Sequence, residues 1–330
     1  MNTELATRQN ELTSKKHIAS SDTAVRAAKT TQNKYTNHFS FWDKESIDHE
    51  DIVWELPEHC VEELQTIGQM EQSEVINNVQ KYLPKTVEFT NRLRNELTFG
   101  SGVAIVDGFQ VKHNSEETNR FQCKIFSSLL SALMPQNIAG DLLYDVKDKK
   151  TPNPEKVRKS ITNKAQPFHT DGGWMSPPAK FIGLFCLENA NSGGISLATS
   201  LYSAFNSLSD ANQQALFNSL PWDKQGEFRD NETSVAFNPG FQLSAKGEFI
   251  GRFYENYVRD GYCLKEETIP KTVCEALTEL SQRLQKNTSV RFTMKPGQYQ
   301  FVNNWNTVHA RMAFSDSEGS TRHLIRTWHS

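Results

Sequence analysis

The spacing of apolar residues divides the chain into a helical first part and a second part of short apolar runs. From Glu71 to Leu97 the apolar positions recur at helical intervals and are interrupted by Pro84, which predicts two helices broken near that proline. The same periodicity predicts three further helices, at Ser115–Met134, Ser203–Leu220 and Thr272–Leu284.

Short apolar runs bounded by turn residues predict the β-strands. Gly100–Gly108 is a run with β-branched residues that closes on Asp-Gly, which is typical of a buried strand ending in a turn. No repeat and no alternation of strand and helix is visible, so the pattern favours an α+β, mainly β fold: a double-stranded β-helix (jelly roll) with flanking helices. The other predicted strands are Leu142–Val146, Phe181–Ala190, Ser196–Tyr202, Thr233–Asn238, Arg252–Val258, Val290–Lys295, Gln298–Asn304 and His323–Trp328.

Composition divides the chain into three parts. Residues 1–37 are polar with few large apolar side chains, which predicts a flexible segment. Residues 38–97 contain an aromatic run around Trp42 and Trp54 and the first helices, and they are predicted to pack on the core as an N-terminal extension. The aromatic run suits a subunit contact equally well, so a homo-oligomer stays open. Residues 98–330 are predicted to form the jelly-roll domain.

Charge and cysteine content exclude several classes of function. Of the 330 residues, 37% are hydrophobic and 23% charged, which is ordinary for a globular protein, and the net charge of -3 provides no basic field to attract nucleic acid. The five cysteines form no C-x-x-C pair, which argues against a zinc finger or a disulfide framework. The sequence has no apolar leader and no run long enough to span a bilayer, so we predict a cytoplasmic protein without membrane contact.

Three residues form a candidate metal site. His169 and Asp171, in QPFHTDGGW, are two apart, so on a strand their side chains would point to the same side. His309, in VNNWNTVHARMAF, would have to join them through tertiary folding. Two imidazoles and one carboxylate can bind one face of Fe(II) and leave the opposite positions open. The same donors would suit a zinc hydrolase or a non-catalytic metal-binding jelly roll.

Two arginines near the C-terminus add a second chemical signal. If HLIRTW is a strand, Arg322, Leu324 and Arg326 share one face. Two inward-facing guanidinium groups need anions, because an unpaired buried charge is strongly destabilising. A dicarboxylate would satisfy them, since the planar guanidinium binds a carboxylate bidentately. An exposed edge, or pairing with Asp and Glu, is the structural alternative.

Taken together, these segments resemble the Fe(II)- and 2-oxoglutarate-dependent dioxygenases of the taurine dioxygenase and clavaminate synthase-like family. The likeness extends over roughly Gly100–Ser330. It includes the first core strand GSGVAIVDGF, the metal motif FHTDGG, the Gly-Gly segment LFCLENANSGGISLATS, the distal histidine segment GQYQFVNNWNTVHARMAF and the arginine segment TRHLIRTW.

The resemblance implies a role for each matching residue. His169, Asp171 and His309 would bind Fe(II), and Arg322 would hold the distal carboxylate of 2-oxoglutarate. Ser196 would support that carboxylate, at a position where the family usually has Thr. Arg326 would face the substrate and pair with an anionic group. Arg158, Asn163, Trp174 and Trp305, which flank the metal segments, are predicted to line the substrate pocket.

The resemblance also implies the reaction. O2 and 2-oxoglutarate would be consumed, succinate and CO2 released, and an unactivated C–H bond of a small substrate hydroxylated, with desaturation or ring formation left open. Relatives that halogenate carry a small residue in place of the carboxylate, so Asp171 argues against halogenation. The N-terminal part lacks the cysteine cluster of relatives that hydroxylate trimethylammonium substrates. A carboxylate-bearing substrate such as an amino acid or a derivative fits best.

Overall fold

The computed structural model describes Trp42, residues 46–47, 49–152, 157–288 and 290–330, so the predicted flexible segment 1–37 lies outside the described residues. Short 3-10 helices occur at Glu50–Ile52, Val111–His113 and Lys159–Ile161. The α-helices of the described residues are α1 (Glu58–Ile67), α2 (Gln72–Asn77), α3 (Val79–Tyr82), α4 (Pro84–Phe99), α5 (Glu116–Leu130), α6 (Leu201–Asn206), α7 (Asp210–Phe217), α8 (Glu255–Leu264) and α9 (Lys271–Lys286).

Two facing sheets hold most of the strands. The larger has the order β1-β2-β14-β6-β17-β3, with β4 also paired to β17, and the smaller has the order β13-β8-β15-β5. This is the predicted double-stranded β-helix with flanking helices. The strands are β1 (Val53–Glu55), β2 (Val103–Asp107), β3 (Leu133–Met134), β4 (Tyr144–Val146), β5 (Gln166–His169), β6 (Phe181–Glu188), β7 (Ser192–Gly193), β8 (Ser196–Ser200), β9 (Ser219–Asp223), β10 (Val235–Pro239), β11 (Phe241–Leu243), β12 (Phe249–Gly251), β13 (Val290–Phe292), β14 (Gln298–Asn303), β15 (Thr307–Arg311), β16 (Phe314–Ser315) and β17 (His323–His329).

The larger sheet is buried on both faces, which explains its nearly continuous apolar runs. On β6, Phe181 and Phe185 pack against the layer of helices α1, α4 and α5, while Ile182 and Cys186 point into the space between the sheets. The period-2 alternation of a strand therefore supplies two cores from one segment. Each fully buried large apolar side chain contributes roughly 1.5–3 kcal/mol to folding.

A third core lies on the outer face of the smaller sheet. Helices α6 to α9 and strands β9 to β12 pack there against Phe168, Val308 and Ala310. Because neighbouring residues on a strand point to opposite faces, His309, between Val308 and Ala310, points into the interior between the sheets. The packing of this helical layer thus fixes the direction of one candidate metal ligand.

Several predicted elements change at their ends. Pro84 begins α4, so the predicted break is confirmed. The helix predicted over Ser115–Met134 ends at Leu130, because Leu133–Met134 pairs with β17 instead. The helix predicted over Ser203–Leu220 is two helices followed by β9, since the Ser209 hydroxyl accepts from the Asn212 amide and begins a new helix.

The strand predicted over Arg252–Val258 is wrong, because α8 begins at Glu255. Tyr254, Val258 and Tyr262 are buried in the same core as the rest of the helical layer. Their spacing of four residues is helical, and the short window that suggested a strand was too narrow to reveal it.

The predicted N-terminal extension contributes to the two cores on either face of the larger sheet. Trp42 is buried among the residues between the sheets, and Trp54 meets the Phe89 ring edge-on at a centroid distance of 6.0 Å. β1 pairs in parallel with β2 and becomes the edge strand of the larger sheet. The division at residue 97 remains a prediction. In the part of the chain that the structure describes, no helix has both the length and the apolar character needed to cross a membrane.

Candidate active site between the two sheets

Strands β5 and β15 bring the two predicted histidines face to face. His169 and His309 are direct partners in the antiparallel register, and their ring centroids lie 4.3 Å apart. Asp171 joins them, with one ligand atom from each of the three residues lying within 4.8 Å of the others. All three side chains are buried. This group is able to hold one metal ion.

Asp171 reaches the site differently from the prediction. β5 ends at His169, so Asp171 lies in the following turn rather than on the strand. Asn304 holds that turn, because its Oδ1 accepts from the Asp171 amide at 2.8 Å and its Nδ2 donates to the Asp171 carbonyl at 3.0 Å. Glycine is required next: Gly172 has φ +64°, and a Cβ on Gly173 would lie 2.7 Å from the Trp222 ring.

The carboxylate of Asp171 is fixed by two side chains of β17. Trp328 Nε1 donates to Oδ2 at 2.9 Å, and Arg326 Nη1 lies 3.2 Å from the same oxygen. Burial on its own would raise the pKa of Asp171, but Arg326 and the two histidines outweigh it and hold that pKa well below its usual range. The carboxylate is therefore ionised at neutral pH.

The histidines present neutral donors. His169 Nδ1 lies 2.9 Å from the Pro167 carbonyl, which can only accept, so Nδ1 carries the proton and Nε2 keeps its lone pair. Gln166 donates its side-chain amide to that Nε2 at 2.8 Å. Burial and the neighbouring His169 lower the pKa of His309 to about 3, and its Nδ1 has no hydrogen-bond partner among the described residues. Neutral imidazoles with an ionised carboxylate are what a divalent metal requires.

His169, Asp171 and His309 line a cavity that we call the arginine cavity. Two of its polar atoms other than arginine atoms, Ser160 Oγ and Gln300 Oε1, are buried without a hydrogen-bond partner in the described part of the chain. Its lining residues are Val146, Ser160, Gln166, His169, Asp171, Leu184, Ser196, Gln300, His309, Ala310, Arg311, Arg322 and Arg326. The predicted Arg322 and Ser196 thus line the same cavity as the metal residues.

Arg322 is a buried cation without a charged partner for two of its nitrogens. It is 2% exposed, and neither Nε nor Nη1 has a hydrogen-bond partner within the described ranges. Burial lowers the pKa of Arg322 to about 10, which leaves the guanidinium charged at neutral pH. Gly194, next to Arg322, has φ +68°, in the left-handed region that favours glycine. A buried guanidinium in this state is stabilised by binding an anion.

Arg311 is a site residue that the sequence reasoning missed. It lines the arginine cavity, directly opposite Ser196 in the pairing of β15 with β8. Its Nη2 donates to the carbonyls of Thr162, at 3.0 Å, and Lys164. Burial, with Arg322 nearby, lowers its pKa to about 9. The signal was available, since a residue two after His309 on a strand shares its face.

A second cavity, which we call the aromatic cavity, shares part of its lining with the first. Four of its lining residues carry large aromatic rings: Trp174, Tyr254, Tyr257 and Trp328. The remaining lining residues are Arg158, Lys159, Ser160, Gln166, His169, Thr170, Asp171, Gly172 and Arg326. The metal residues His169 and Asp171 form part of both cavities. Tyr254 and Tyr257 escaped prediction because their segment was interpreted as a strand.

Three of the five predicted substrate-binding residues line the aromatic cavity, and the other two, Asn163 and Trp305, line neither cavity. Trp174 and Arg158 line the aromatic cavity, with the Arg158 guanidinium 5.4 Å from the Trp174 ring centroid and 2.6 Å from Glu227 Oε1. Arg326 lines both cavities and also donates from Nε to Gln136 Oε1 at 2.8 Å. Asn163 is not among the lining residues of either cavity, and its carbonyl accepts from the Phe314 amide at 3.1 Å. Its contact with substrate remains a prediction.

Sequence comparison gives a family match across most of the chain. The sequence model of the family described as "Taurine catabolism dioxygenase TauD, TfdA family" matches residues 78–328. FR-33289 synthase from Streptomyces rubellomurinus is 26% identical over 246 residues, which cover 71% of this chain and 70% of the relative. Taurine hydroxylase-like protein SAT17 from Stachybotrys chartarum is 30% identical over 173 residues, which cover 48% and 41%.

Solved structures share the fold at low sequence identity. An asparagine oxygenase in complex with Fe(II), 3-hydroxyasparagine and succinate superposes with a TM-score of 0.67 at 17% identity, covering 84% of this chain and 93% of that one. The non-heme iron oxygenase OrfP in complex with Fe and alpha-ketoglutaric acid gives a TM-score of 0.65 at 14% identity, covering 84% and 94%.

Proposed function

The chain belongs to the TauD/TfdA family of dioxygenases, and we propose that it hydroxylates a C–H bond of a small carboxylate-bearing substrate, an amino acid or a derivative. As a member of this family the protein is an Fe(II)- and 2-oxoglutarate-dependent dioxygenase. Family membership therefore excludes the two alternatives, a zinc hydrolase and a non-catalytic metal-binding jelly roll. When bound, the iron would activate O2, which is the oxidant, while 2-oxoglutarate would supply two electrons and leave as succinate and CO2.

We assign the iron to His169, Asp171 and His309. The donor set supports this assignment, because both imidazoles are neutral and the carboxylate is ionised. The hydrogen bond from Trp328 and the ion pair with Arg326 orient the carboxylate before the metal arrives. With three protein ligands, the remaining coordination positions of the iron are left for 2-oxoglutarate and O2.

We assign the distal carboxylate of 2-oxoglutarate to Arg322. Its two unpartnered nitrogens support this role, since a carboxylate would satisfy a charge that is otherwise buried alone. Ser196 lines the same cavity, and its hydroxyl would add a hydrogen bond to the same group. Arg311, beside Ser196 on the smaller sheet, would contribute positive potential, because its Nε also lacks a partner among the described residues.

The proposed substrate class rests on one observation: His169 and Asp171 line two cavities of different character. Since the arginine cavity fits the cosubstrate, the aromatic cavity is left for the substrate. Arg158 and Lys159 line it and favour an anionic group, and Arg326 borders it from β17. The solved relatives include an asparagine oxygenase and OrfP in complex with hydroxylated arginine, which supports an amino-acid substrate. The carboxylate of Asp171 favours hydroxylation over halogenation.

The test is succinate release over a panel of amino acids, N-acyl amino acids and small carboxylates, with mass spectrometry of each product. We expect one chemical class to stimulate release and to gain the mass of one oxygen atom. Anaerobic addition of Fe(II) and 2-oxoglutarate is expected to give a weak visible charge-transfer band. Iron-loaded, folded protein without that band, or stimulation by no carboxylate at all, would contradict the proposal.

A further inference from the structure

Four aromatic rings form one continuous wall beside the metal residues. Tyr254 and Tyr257 lie 4.1 Å apart between ring centroids, Tyr257 and Trp174 6.0 Å, and Trp174 and Trp328 6.3 Å. The wall reaches the metal site itself, because the Tyr254 ring lies 5.1 Å from the His169 ring. A ligand group held against this wall would therefore lie next to the iron.

The wall is held in position by separate parts of the fold. Trp328 is fixed on β17 by its hydrogen bond to Asp171, while Tyr254 directly precedes α8 and Tyr257 lies in its first turn. Trp174 follows the metal turn, where Asn238 Nδ2 donates to its carbonyl at 2.9 Å. Rings restrained in this way offer large apolar area at little entropic cost to a ligand.

Charge limits what the wall is able to accept. Asp171 is the only carboxylate among the described lining residues, and it is already paired with Arg326. Tyr254 and Tyr257 contribute phenol hydroxyls and no charge to the cavity. Arg158 and Lys159 are cations of the same cavity. Trp174 and Trp328 already face the guanidinium groups of Arg158 and Arg326, at 5.4 and 5.0 Å from the ring centroids. An ammonium or guanidinium side chain of the substrate would compete with these groups for the rings and be repelled by them.

We infer that the substrate is a carboxylate with an aromatic or branched aliphatic side chain. The side chain packs against the wall of Trp174, Tyr254, Tyr257 and Trp328, and the carboxylate faces Arg158 and Lys159. The inference rests on the proposed function only for what happens to the bound molecule. The four rings would gain little from a side chain as polar as that of asparagine or arginine, because burying such a group without hydrogen-bond partners costs free energy.

The test is direct binding to the full-length protein with Fe(II) and 2-oxoglutarate under anaerobic conditions. Tryptophan fluorescence is the readout, since two of the four rings are indoles. The probes are L-phenylalanine, L-leucine and N-acetyl-L-leucine, against L-asparagine, L-arginine and taurine. We expect at least one apolar carboxylate to bind about tenfold more tightly than every polar probe. Tightest binding by a polar probe, or failure of all the apolar probes, overturns the inference.

Ring deletions locate the binding. Tyr257→Ala is expected to weaken binding of the apolar probe about tenfold, whereas Tyr257→Phe, which keeps the ring, stays within about twofold. Trp174→Ala provides a second, independent deletion with the same expectation. Phe237→Ala is the matched control, because that ring is 56% exposed and lies outside both cavities. Unchanged affinity in folded Tyr257→Ala and Trp174→Ala, checked by thermal melting, overturns the role of the wall.

Succinate release separates this inference from the proposed reaction. Tight binding of an apolar carboxylate without succinate release contradicts the reaction and keeps the inference. Stimulation by asparagine or arginine, but by no apolar carboxylate, contradicts the inference and keeps the reaction.

Discussion

The arginine cavity and the aromatic cavity share His169, Asp171 and Arg326, but most of their other lining residues come from different parts of the fold. Ser196, Arg311 and Arg326 approach the arginine cavity from β8, β15 and β17, so its walls belong to the two sheets. The aromatic cavity is closed by the turn after β5, the segment around the 3-10 helix Lys159–Ile161 and the start of α8.

The two cavities also differ in how far their charges are satisfied. Arg322 keeps two nitrogens without partners, whereas Arg158 already pairs with Glu227 at 2.6 Å. A rigid sheet wall with an unpaired buried cation suits one fixed ligand. Loops and a helix end, with Arg158 already paired, suit a ligand of another kind. The contrast supports the proposed division into a cosubstrate cavity and a substrate cavity, and the following variants test each cavity separately.

The largest effect is expected at the residues that both cavities share. Asp171→Ala should abolish iron binding and reduce succinate release to background, because the remaining two imidazoles neither neutralise nor orient the ion. Iron content and the anaerobic charge-transfer band measure this. His113→Ala, an exposed histidine away from the site, is the control and should bind iron normally. Full iron occupancy in Asp171→Ala would remove Asp171 from the ligand set.

The next effect should fall on the arginine cavity alone. Arg322→Ala is expected to raise the KM for 2-oxoglutarate roughly 100-fold, since charge-assisted hydrogen bonds are worth about 1.5–3 kcal/mol each. The KM for the substrate should change far less. Arg291→Ala, an exposed arginine on β13, is the matched control. An unaltered requirement for 2-oxoglutarate in folded Arg322→Ala would show that the cosubstrate binds elsewhere.

A smaller effect is expected from the residue that orients the carboxylate. Trp328→Phe removes the 2.9 Å hydrogen bond to Asp171 while keeping an aromatic ring in the wall. Loss of such a supporting hydrogen bond costs about 10- to 100-fold in metal affinity, so we expect roughly 30-fold weaker iron binding, measured by anaerobic titration. Trp305→Phe loses an indole hydrogen bond to the Pro178 carbonyl, outside both cavities, and should retain its affinity. Equal affinities of the two variants would deny Trp328 this role.

A variant of Arg158 tests the aromatic cavity alone, because this residue does not line the arginine cavity. Arg158→Ala should raise the KM for the carboxylate substrate about fivefold, the effect of losing a partly solvated ion pair, and leave the KM for 2-oxoglutarate unchanged. Glu227→Gln serves as the control, because it keeps the guanidinium and removes only its acidic partner. If Arg158→Ala raised both KM values equally, the separation of the two cavities would fail.

The pH dependence of stability reports on β17 without touching either cavity. Burial lowers the pKa of His329 to about 4, from 6.5. Between these values the unfolded chain binds a proton that the folded one does not, so stability falls as the pH drops from about 6.5 to 4. The loss is about 3 kcal/mol, at 1.36 kcal/mol per pH unit. Urea unfolding of wild type and His329→Gln should show this difference only in the acidic range. Parallel pH profiles would mean that His329 titrates normally.

The residues found from sequence belong mainly to the sheets. His169 and His309 lie on β5 and β15, as the strand reading of their segments predicted, whereas Arg322, predicted on the last strand, directly precedes β17. Asp171 was predicted for the right cluster by the wrong geometry, since the turn held by Asn304 presents it rather than the strand. The period of a strand also predicts that Arg311, two residues after His309, faces the same side as His309.

The aromatic cavity was largely beyond prediction. Tyr254 and Tyr257 stand in a short apolar segment whose helical spacing becomes visible only over the longer stretch to Tyr262. Asn163, although close to the metal motif in sequence, binds through its carbonyl to Phe314 and lines neither cavity. Trp174, equally close to the metal motif, does line the aromatic cavity, so the role of Asn163 stays a prediction.

By itself the sequence predicted the double-sheet fold, a His-Asp-His donor set and a need of Arg322 for an anion, from strand periodicity, residue types and the family resemblance, because these are patterns along the chain. Only the tertiary structure shows which groups hold the Asp171 carboxylate and which rings line the aromatic cavity. Partner groups such as Trp328 and Asn304 come from segments far apart in the chain, and their meeting depends on how the sheets and helices pack.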